Sequence, residues 1–463
     1  MSTKHHTPET REIFETMPVP AALVKMALPT IASQLITLIY NIADTWFIGR
    51  TNNPYMVAAS SLVLTIFLAT TALANLFGTG GGTLMVRLLG SKQEEEARKV
   101  ASLSVVMAGG AALVFSMLCL VFMNPLLRLL GASENTIGFA RQYLFFVVVL
   151  GGVPTVLSST MSAMVRNTGH SREAGLGLSL GGVLNVILDP IFMFVLLPDG
   201  YQVMGAAIAT MLSNTVTLVY FVLVYRKLSS CSVLALPQRM EHIRRDSLRS
   251  LFSVGLPASI SVLLYDLTNI VINRLSSGHG DIELAAIGIV LKVERLPLNI
   301  GIGICLGMVP LLAYNFAAKN YQRMCSVFSA ARLAGLVVAV ISVVAYRIFA
   351  PYIVEAFISD GQTVQLGTQF LRARCVATPF MFLSFQMVHF MQAVNQGKYS
   401  FCLAVIRQII LNIPMLFLMN WLFGMMGIVW TQSVADLLNV VASYILYHHV
   451  TRNVIKIAAP EGN

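Results

Sequence analysis

Twelve stretches of apolar residues, each about 20 residues or longer, follow one another along the chain with short polar segments between them. They predict membrane-spanning helices at roughly 25–48, 56–84, 100–123, 138–164, 174–197 and 204–225, then 251–274, 284–314, 327–349, 365–392, 401–422 and 426–448. One polar interruption is long: RKLSSCSVLALPQRMEHIRRDSLRS, residues 226–250. It divides the spans into two sets of six. The fold expected is an all-α polytopic membrane protein, with twelve transmembrane helices in two pseudo-symmetric six-helix lobes. Its parts are a cytoplasmic amino-terminal segment (1–24), an N-lobe (25–225), a cytoplasmic linker (226–250), a C-lobe (251–448) and a cytoplasmic tail (449–463).

The two sets resemble each other. LPTIASQLITLIYNIADTWF (28–47) aligns with LPASISVLLYDLTNIVINRL (256–275) at an offset of 228. VAASSLVL (57–64) aligns with LAAIGIVL (284–291), and Gly80 with Gly307, at an offset of 227. NTGHS (167–171) falls near NQGKY (395–399). Six spans per copy start both copies on the same side, so the repeat is parallel, about an axis along the membrane normal. Basic residues set the orientation. Lys92, Arg98, Lys99, Arg166, Arg172, Arg226, Lys227, Arg239, Arg244, Arg245, Arg249, Lys319, Arg323, Lys398, Arg452 and Lys456 fall on one side. The other side holds little more than Arg50, Arg128, Arg274 and Arg347. The richer side is expected to face the cytoplasm, with both termini and the linker. The first twenty residues lack the apolar core of a signal peptide, so the first span is expected to be an uncleaved anchor.

The informative residues are the polar ones inside the spans. In EAGLGLSLGGVLNVILDPIFMFVLL (173–197), Gly177, Gly181, Asn185 and Asp189 are spaced by four and share one helix face. Small residues let a neighbouring helix approach, so the inward face is the one carrying the polar groups. Pro190 has no N–H and leaves the carbonyl of Val186 a free acceptor. The first span carries Gln34, Thr37, Asn41 and Asp44 on one face. On the repeat alignment Asp44 corresponds to Ile272, so the acidic face belongs to the first half alone. If Asp44 and Asp189 meet, the two carboxylates cannot both stay ionised cheaply. One holds a proton, or a cation binds between them. Asn185 and the Thr210 hydroxyl are further oxygen ligands for a sodium ion, while protons need only the acids. The bland alternative makes both acids structural, with Asp44 an interfacial residue near the outer end of its helix.

In the second half Lys292, Glu294 and Arg295 interrupt the eighth span. They face a central cavity, where Glu294 attracts a cationic substrate, or they pair with one another. Asp266 and Asp436 are further intramembrane acids. Arg372, Arg374 and Arg407 read as structural or interfacial. Gln386, His389 and Gln392 give the tenth span a polar face, a candidate lining for a substrate cleft together with Glu294 and Lys292. The Met residues of the last three spans either line a loosely fitting pocket or simply pack.

Composition narrows the function. The chain is 56% hydrophobic and only 11% charged, against about 25% charged in soluble proteins. Its net charge of +10 sits in the connecting segments, where it marks topology and not nucleic-acid binding. The six cysteines form no CxxC pair, which argues against a disulfide or zinc framework. HExxH and P-loop motifs are missing, so an enzyme is not expected and active transport has an ion gradient as its source. GTGGG (78–82) reads as close helix packing.

YNIADTWFIGR (40–50), NVILDPIFMF (185–194), GAAIATMLS (205–213) and GMVPLLAYNFAAKNYQR (307–323) resemble the multidrug and toxic compound extrusion family, MATE. The resemblance covers nearly the whole chain, and the first-half acids are similar to those of the DinF-like branch and its MepA-like members. It implies that Asp44 is the first-helix acid whose protonation or cation binding is linked to bending of that helix. It implies further that Asn185, Asp189 and Thr210 form the amino-lobe cation site. The second half has no match to the carboxy-lobe acid pair of the NorM-like branch. The expected function is a cation-coupled (H+ or Na+) antiporter exporting amphipathic or cationic organic compounds by rocking of two lobes. A flippase for a lipid-linked metabolite is the alternative, with a channel or sensor behind it. The expected partners are small organic substrates and the bilayer of the cell membrane, with no cofactor beyond the coupling ion, no nucleic acid and a monomeric state.

Overall fold

The computed structural model describes residues 11–51, 53–229, 232–234 and 245–454. Outside the described residues lie the start of the expected amino-terminal segment, Cys231, Arg239 and Arg244 of the linker, and Lys456 of the tail; the side chain of Asp266 is likewise not described. Every regular element among the described residues is helical. The long spans are α1 (Val19–Gly49), α2 (Pro54–Gly90), α3 (Glu94–Val121), α5 (Ser171–Leu196), α6 (Gln202–Leu228), α7 (Arg245–Ser276), α8 (Asp281–Ala317) and α9 (Tyr321–Glu355). The fourth, α4, is Ile137–Leu150 with Gly152–Asn167, bent by 44°. The tenth, α10, joins Gly361–Arg374 to Thr378–Ala393 through a 3-10 turn at Cys375–Ala377. The stretch Gly397–Asn453 is two spans, α11 and α12, separated where Gly424 takes φ 58 and ψ −142. The twelve spans expected are thus twelve helical runs.

The spans show the inverse of a water-soluble surface. On α3, Leu113, Val114, Met117, Leu118 and Val121 are exposed; on α9, Leu333, Val337, Val340, Ile341, Val344 and Ile348 are. Steps of three and four make each set a continuous apolar stripe, suited to lipid. Backbone groups in that setting must bond internally, which helices satisfy.

The residues fall into two compact units, one drawn from Met1–Met17 and Leu28–Ser259, the other from Pro18–Ala27 and Ile260–Asn463. Their cores are built alike. The first packs Met56, Val63, Leu127, Tyr143, Val147 and Val203. The second packs Ile287, Val290, Tyr346, Val354, Phe370 and Leu416. The repeat extends to the helix ends. After α2, Lys92 has φ 61, and Gln93 N donates to Leu88 O at 2.8 Å. After α8, Lys319 has φ 60, and Asn320 N donates to Asn315 O at 2.9 Å. Both are left-handed caps with the long-range bond that closes the last carbonyls. α4 and α10 end in the same way at Gly169 and Asn395.

The glycine run 78–82 is enclosed on several sides. A Cβ on Gly78 would lie 3.1 Å from Ala163 on α4; on Gly80 it would lie 2.9 Å from Gly255 Cα on α7; Gly81 faces Ser104 on α3. Close packing is its role.

Candidate functional site

The first unit's polar cluster is placed by the small residues of α5. A Cβ on Gly175 would lie 2.6 Å from the Pro29 carbonyl of α1, and one on Gly182 would meet Ile36 and Tyr40 at 2.9 and 3.0 Å. Gly177 and Gly181 lie against Phe221, Tyr220 and Thr217 of α6. So α5 is wedged between α1 and α6, and the face spaced by four points inward. Pro190 interrupts it, and the helix loosens into a π turn over Phe192–Leu196.

Asn185 Nδ2 donates to Asp189 Oδ1 and to Thr210 Oγ1, each at 3.2 Å. Asp189 is wholly buried and Asn185 is 3% exposed. Asp189 Oδ2, Asn185 Oδ1 and Asp44 Oδ1 are buried without a hydrogen-bond partner. Asp44 and Asp189 lie within electrostatic reach of each other, and both act on Tyr143. Three unsatisfied buried oxygens would each cost about 1–3 kcal/mol if nothing bound them. Their chemistry suits a proton or a hard cation, which oxygen donors hold. Among the described residues no three His, Cys, Asp or Glu side chains converge, so the set is not that of a transition-metal centre.

The second unit places its charges differently. Glu294 Oε2 accepts from Arg374 Nε at 2.7 Å, so its partner is neither Lys292 nor Arg295, both of which are exposed. Arg407 binds Asp436 through two bonds of 2.6 and 3.2 Å, and Gln432 also donates to Asp436. Arg407 lies over the Phe385 ring at 4.8 Å. Of the three arginines, Arg374 and Arg407 thus hold Glu294 and Asp436, while Arg372 Nε donates to the Arg347 carbonyl at 3.1 Å.

A model of the MatE family matches residues 29–191 and 257–418, which covers most of the chain. The chain belongs to the MATE family. The starts of the two matches, 29 and 257, stand at the offset of 228 that aligns the Leu-Pro segments. The chain is 30% identical to the multidrug export protein MepA of Staphylococcus aureus (strain MRSA252) over 437 residues, covering 94% of this chain and 95% of that protein. The MepA of Staphylococcus saprophyticus is likewise 30% identical over 441 residues. Among solved structures, an outward-facing multidrug resistance MATE transporter of the MOP superfamily superimposes with a TM-score of 0.89 at 21% identity, covering 98% of this chain and all of that one. A mutant of the Vibrio cholerae MATE transporter VcmN gives 0.88 at 20% identity, covering 97% of this chain and all of that one. This MATE protein is therefore a multi-pass transporter of a multidrug-export family, and not an enzyme.

Within this MATE protein the four residues expected to bind the coupling ion fall in one unit, with Asn185, Asp189 and Thr210 directly bonded. Of the supporting face, Gln34 and Thr37 are half-buried, while Asn41 is exposed and donates to the Thr37 carbonyl at 2.8 Å. The residues expected to line a substrate cleft lie on two helices, Lys292 and Glu294 on α8 and Gln386, His389 and Gln392 on α10. Gln386 is buried and donates to the Ala331 carbonyl of α9 at 2.7 Å. Gln392 is buried with a bond of 3.3 Å to Ser400, and His389 Nδ1 lies 2.8 Å from the Phe385 carbonyl. Tyr40 and Tyr143, both in reach of Asp44, were not singled out by sequence. Tyr40 opens the YNIAD motif and could have been; Tyr143 carries no local signal.

Proposed function

We propose that this MATE protein is a cation-coupled antiporter that exports amphipathic or cationic organic compounds by rocking of its two lobes. The observation that carries the reading is the set of partnerless buried oxygens on Asp44, Asn185 and Asp189 beside Thr210. A carboxylate oxygen without a partner in an apolar bundle is stable when it holds a proton or a cation. Asp189 and Asp44 bind the coupling ion, H+ or Na+, and Asn185 and Thr210 orient them. Ion entry from outside favours discharge of the substrate, and ion release inside resets the site. The positive-inside distribution puts both termini in the cytoplasm, and the protein acts as a monomer in the cell membrane.

The test is transport of ethidium, an organic cation, in proteoliposomes with proton and sodium gradients imposed separately. One gradient drives uptake in the wild type. Asp189→Asn reduces that transport to background, while ethidium still binds the purified variant. Gradient-driven transport undiminished in Asp189→Asn, at equal reconstitution, excludes the assigned role.

A further inference from the structure

The two units close the same kind of connection in opposite ways. In the first, α5 and α6 are joined through LPDGYQ (197–202), whose Asp199 and Gly200 are exposed. There Gln202 Nε2 donates to Asp199 Oδ1 at 3.1 Å, and the Gly200 N–H donates to Gln202 Oε1 at 2.9 Å. In the second, α11 passes into α12 through MNWLFGMM (419–426). From Ile413 to Trp430 that stretch holds one amide, Asn420, and no hydroxyl or charge. The amide is engaged, because His279 of the α7–α8 connection brings Nε2 to 2.6 Å from Asn420 Oδ1. Gly424 makes the reversal alone, and a Cβ on Gly427 would run into the Met419 carbonyl, so the helices meet with hardly any loop. Yet protein does not cover the tip. Trp421, Leu422 and Phe423 are 80, 51 and 63% exposed.

This surface continues the faces that the two spans turn to lipid. Ile410, Phe417 and Trp421 are exposed on one face of α11, and Met426, Trp430, Leu437 and Val441 on one face of α12. The reach of α11 agrees. From exposed Lys398 to Trp421 the helix rises about 35 Å, against a hydrocarbon core of about 30 Å. A helix that keeps Lys398 among the headgroups on one side therefore ends near the far edge of the hydrocarbon, the level that tryptophan favours. We infer that the α11–α12 connection is a lipid-embedded turn, with Trp421, Leu422 and Phe423 laid against the upper acyl chains of phospholipid. The His279 contact answers the turn's one polar side chain, and reversal at a single residue leaves few backbone groups to hydrate, as that setting requires. The first unit's counterpart, with Asp199 in its turn, stands in water. The inference uses neither the coupling ion nor the side on which the termini lie.

The experiment uses fluorescence. The chain has three tryptophans, Trp46, Trp421 and Trp430, so Trp46→Phe with Trp430→Phe leaves Trp421 as the sole emitter. The full-length protein is reconstituted at high lipid excess in phosphatidylcholine vesicles, with or without bromine near the carbonyl end of the acyl chains. Brominated lipid is expected to remove about half of the Trp421 emission or more, while aqueous acrylamide quenches it about fivefold less than free tryptophan. Adding Leu422→Asp and Phe423→Asp puts two charges at the tip, which hydrocarbon disfavours. Bromine quenching should then fall and acrylamide quenching rise. If that variant does not fold, the sole-tryptophan protein still decides. Acrylamide quenching as strong as for free tryptophan would place the tip in water and overturn the inference. Shielding from both quenchers would mean that protein, such as a second copy, covers the tip, and would overturn it equally. Bromine quenching unchanged by the two aspartates would overturn it as well, because the apolar tip would not be what holds the turn in lipid.

Discussion

Asn185 ties the first unit's cluster together, because one amide nitrogen serves both Asp189 and Thr210. Thr210→Val removes one acceptor and leaves the other. The expected outcome is a several-fold rise in the ion concentration needed for half-maximal transport, with the maximal rate nearly kept. An unchanged ion dependence would remove Thr210 from the site. In the second unit the Arg407–Asp436 pair is 6% and 0% exposed at the side chains. Removing one partner of such a pair costs about 3–5 kcal/mol, because the other is left charged and buried. Arg407→Met should therefore lower the melting temperature in detergent more than Arg407→Met combined with Asp436→Leu. A double variant no more stable than the single would show that the charge is solvated after all. These residues differed in how readable they were. Asn185 and Asp189 announce themselves as polar groups four apart in an apolar run. Glu294 announces itself too, but its partner Arg374 is 80 residues away, and only packing brings them together.

At the level of elements, the hydrophobic pattern located the helical runs among the described residues, since a helix that crosses a bilayer needs a long apolar run. The helices outrun the apolar cores that predicted them: α2 reaches Gly90 where the apolar run ends near 84. Helical hydrogen bonding continues past the lipid boundary as far as the cap allows. Internal breaks were readable only where chemistry forces them. Pro190 does so in α5, and the π turns Phe145–Leu150 and Ile406–Asn412 are followed by Pro154 and Pro414, which have no N–H for the carbonyls of Leu150 and Ile410. Gly424 is the sharpest case. Its φ of 58 with ψ of −142 is a conformation nearly closed to residues with a Cβ. It lets one helical stretch become two spans. Gly424→Ala should lower stability by about 1–3 kcal/mol, read as an earlier thermal unfolding transition. A variant that melts with the wild type would mean that the turn relaxes freely into another conformation.

The repeat governs the whole molecule, and it is carried by cores and caps more than by identity. Lys92 and Lys319 adopt the same left-handed end with the same bonds, although GSKQ (90–93) and AAKN (317–320) share only the lysine. The expected boundary in the polar linker follows composition, yet chain segments do not respect it. Pro18–Ala27 belongs to the second unit, and the chain up to Ser259 belongs to the first. A Cβ on Gly307 would lie 2.6 Å from Ala27 Cα, and one on Gly255 would be 3.1 Å from the carbonyl carbon of Leu76. Neither approach leaves room for a side chain, so each foreign segment is part of the core it joins. A cut in the linker therefore gives two fragments, 1–238 and 239–463, each lacking a piece of its own unit. Expressed singly, each should aggregate or be degraded. Expressed together, they should copurify and restore ethidium resistance, because the missing pieces are supplied in trans. The measurement is size-exclusion chromatography of fluorescently tagged fragments. A monodisperse, thermally cooperative fragment 1–238 on its own would show that the first unit does not need α7, and that the segment passing between units is decoration on a lobe already complete.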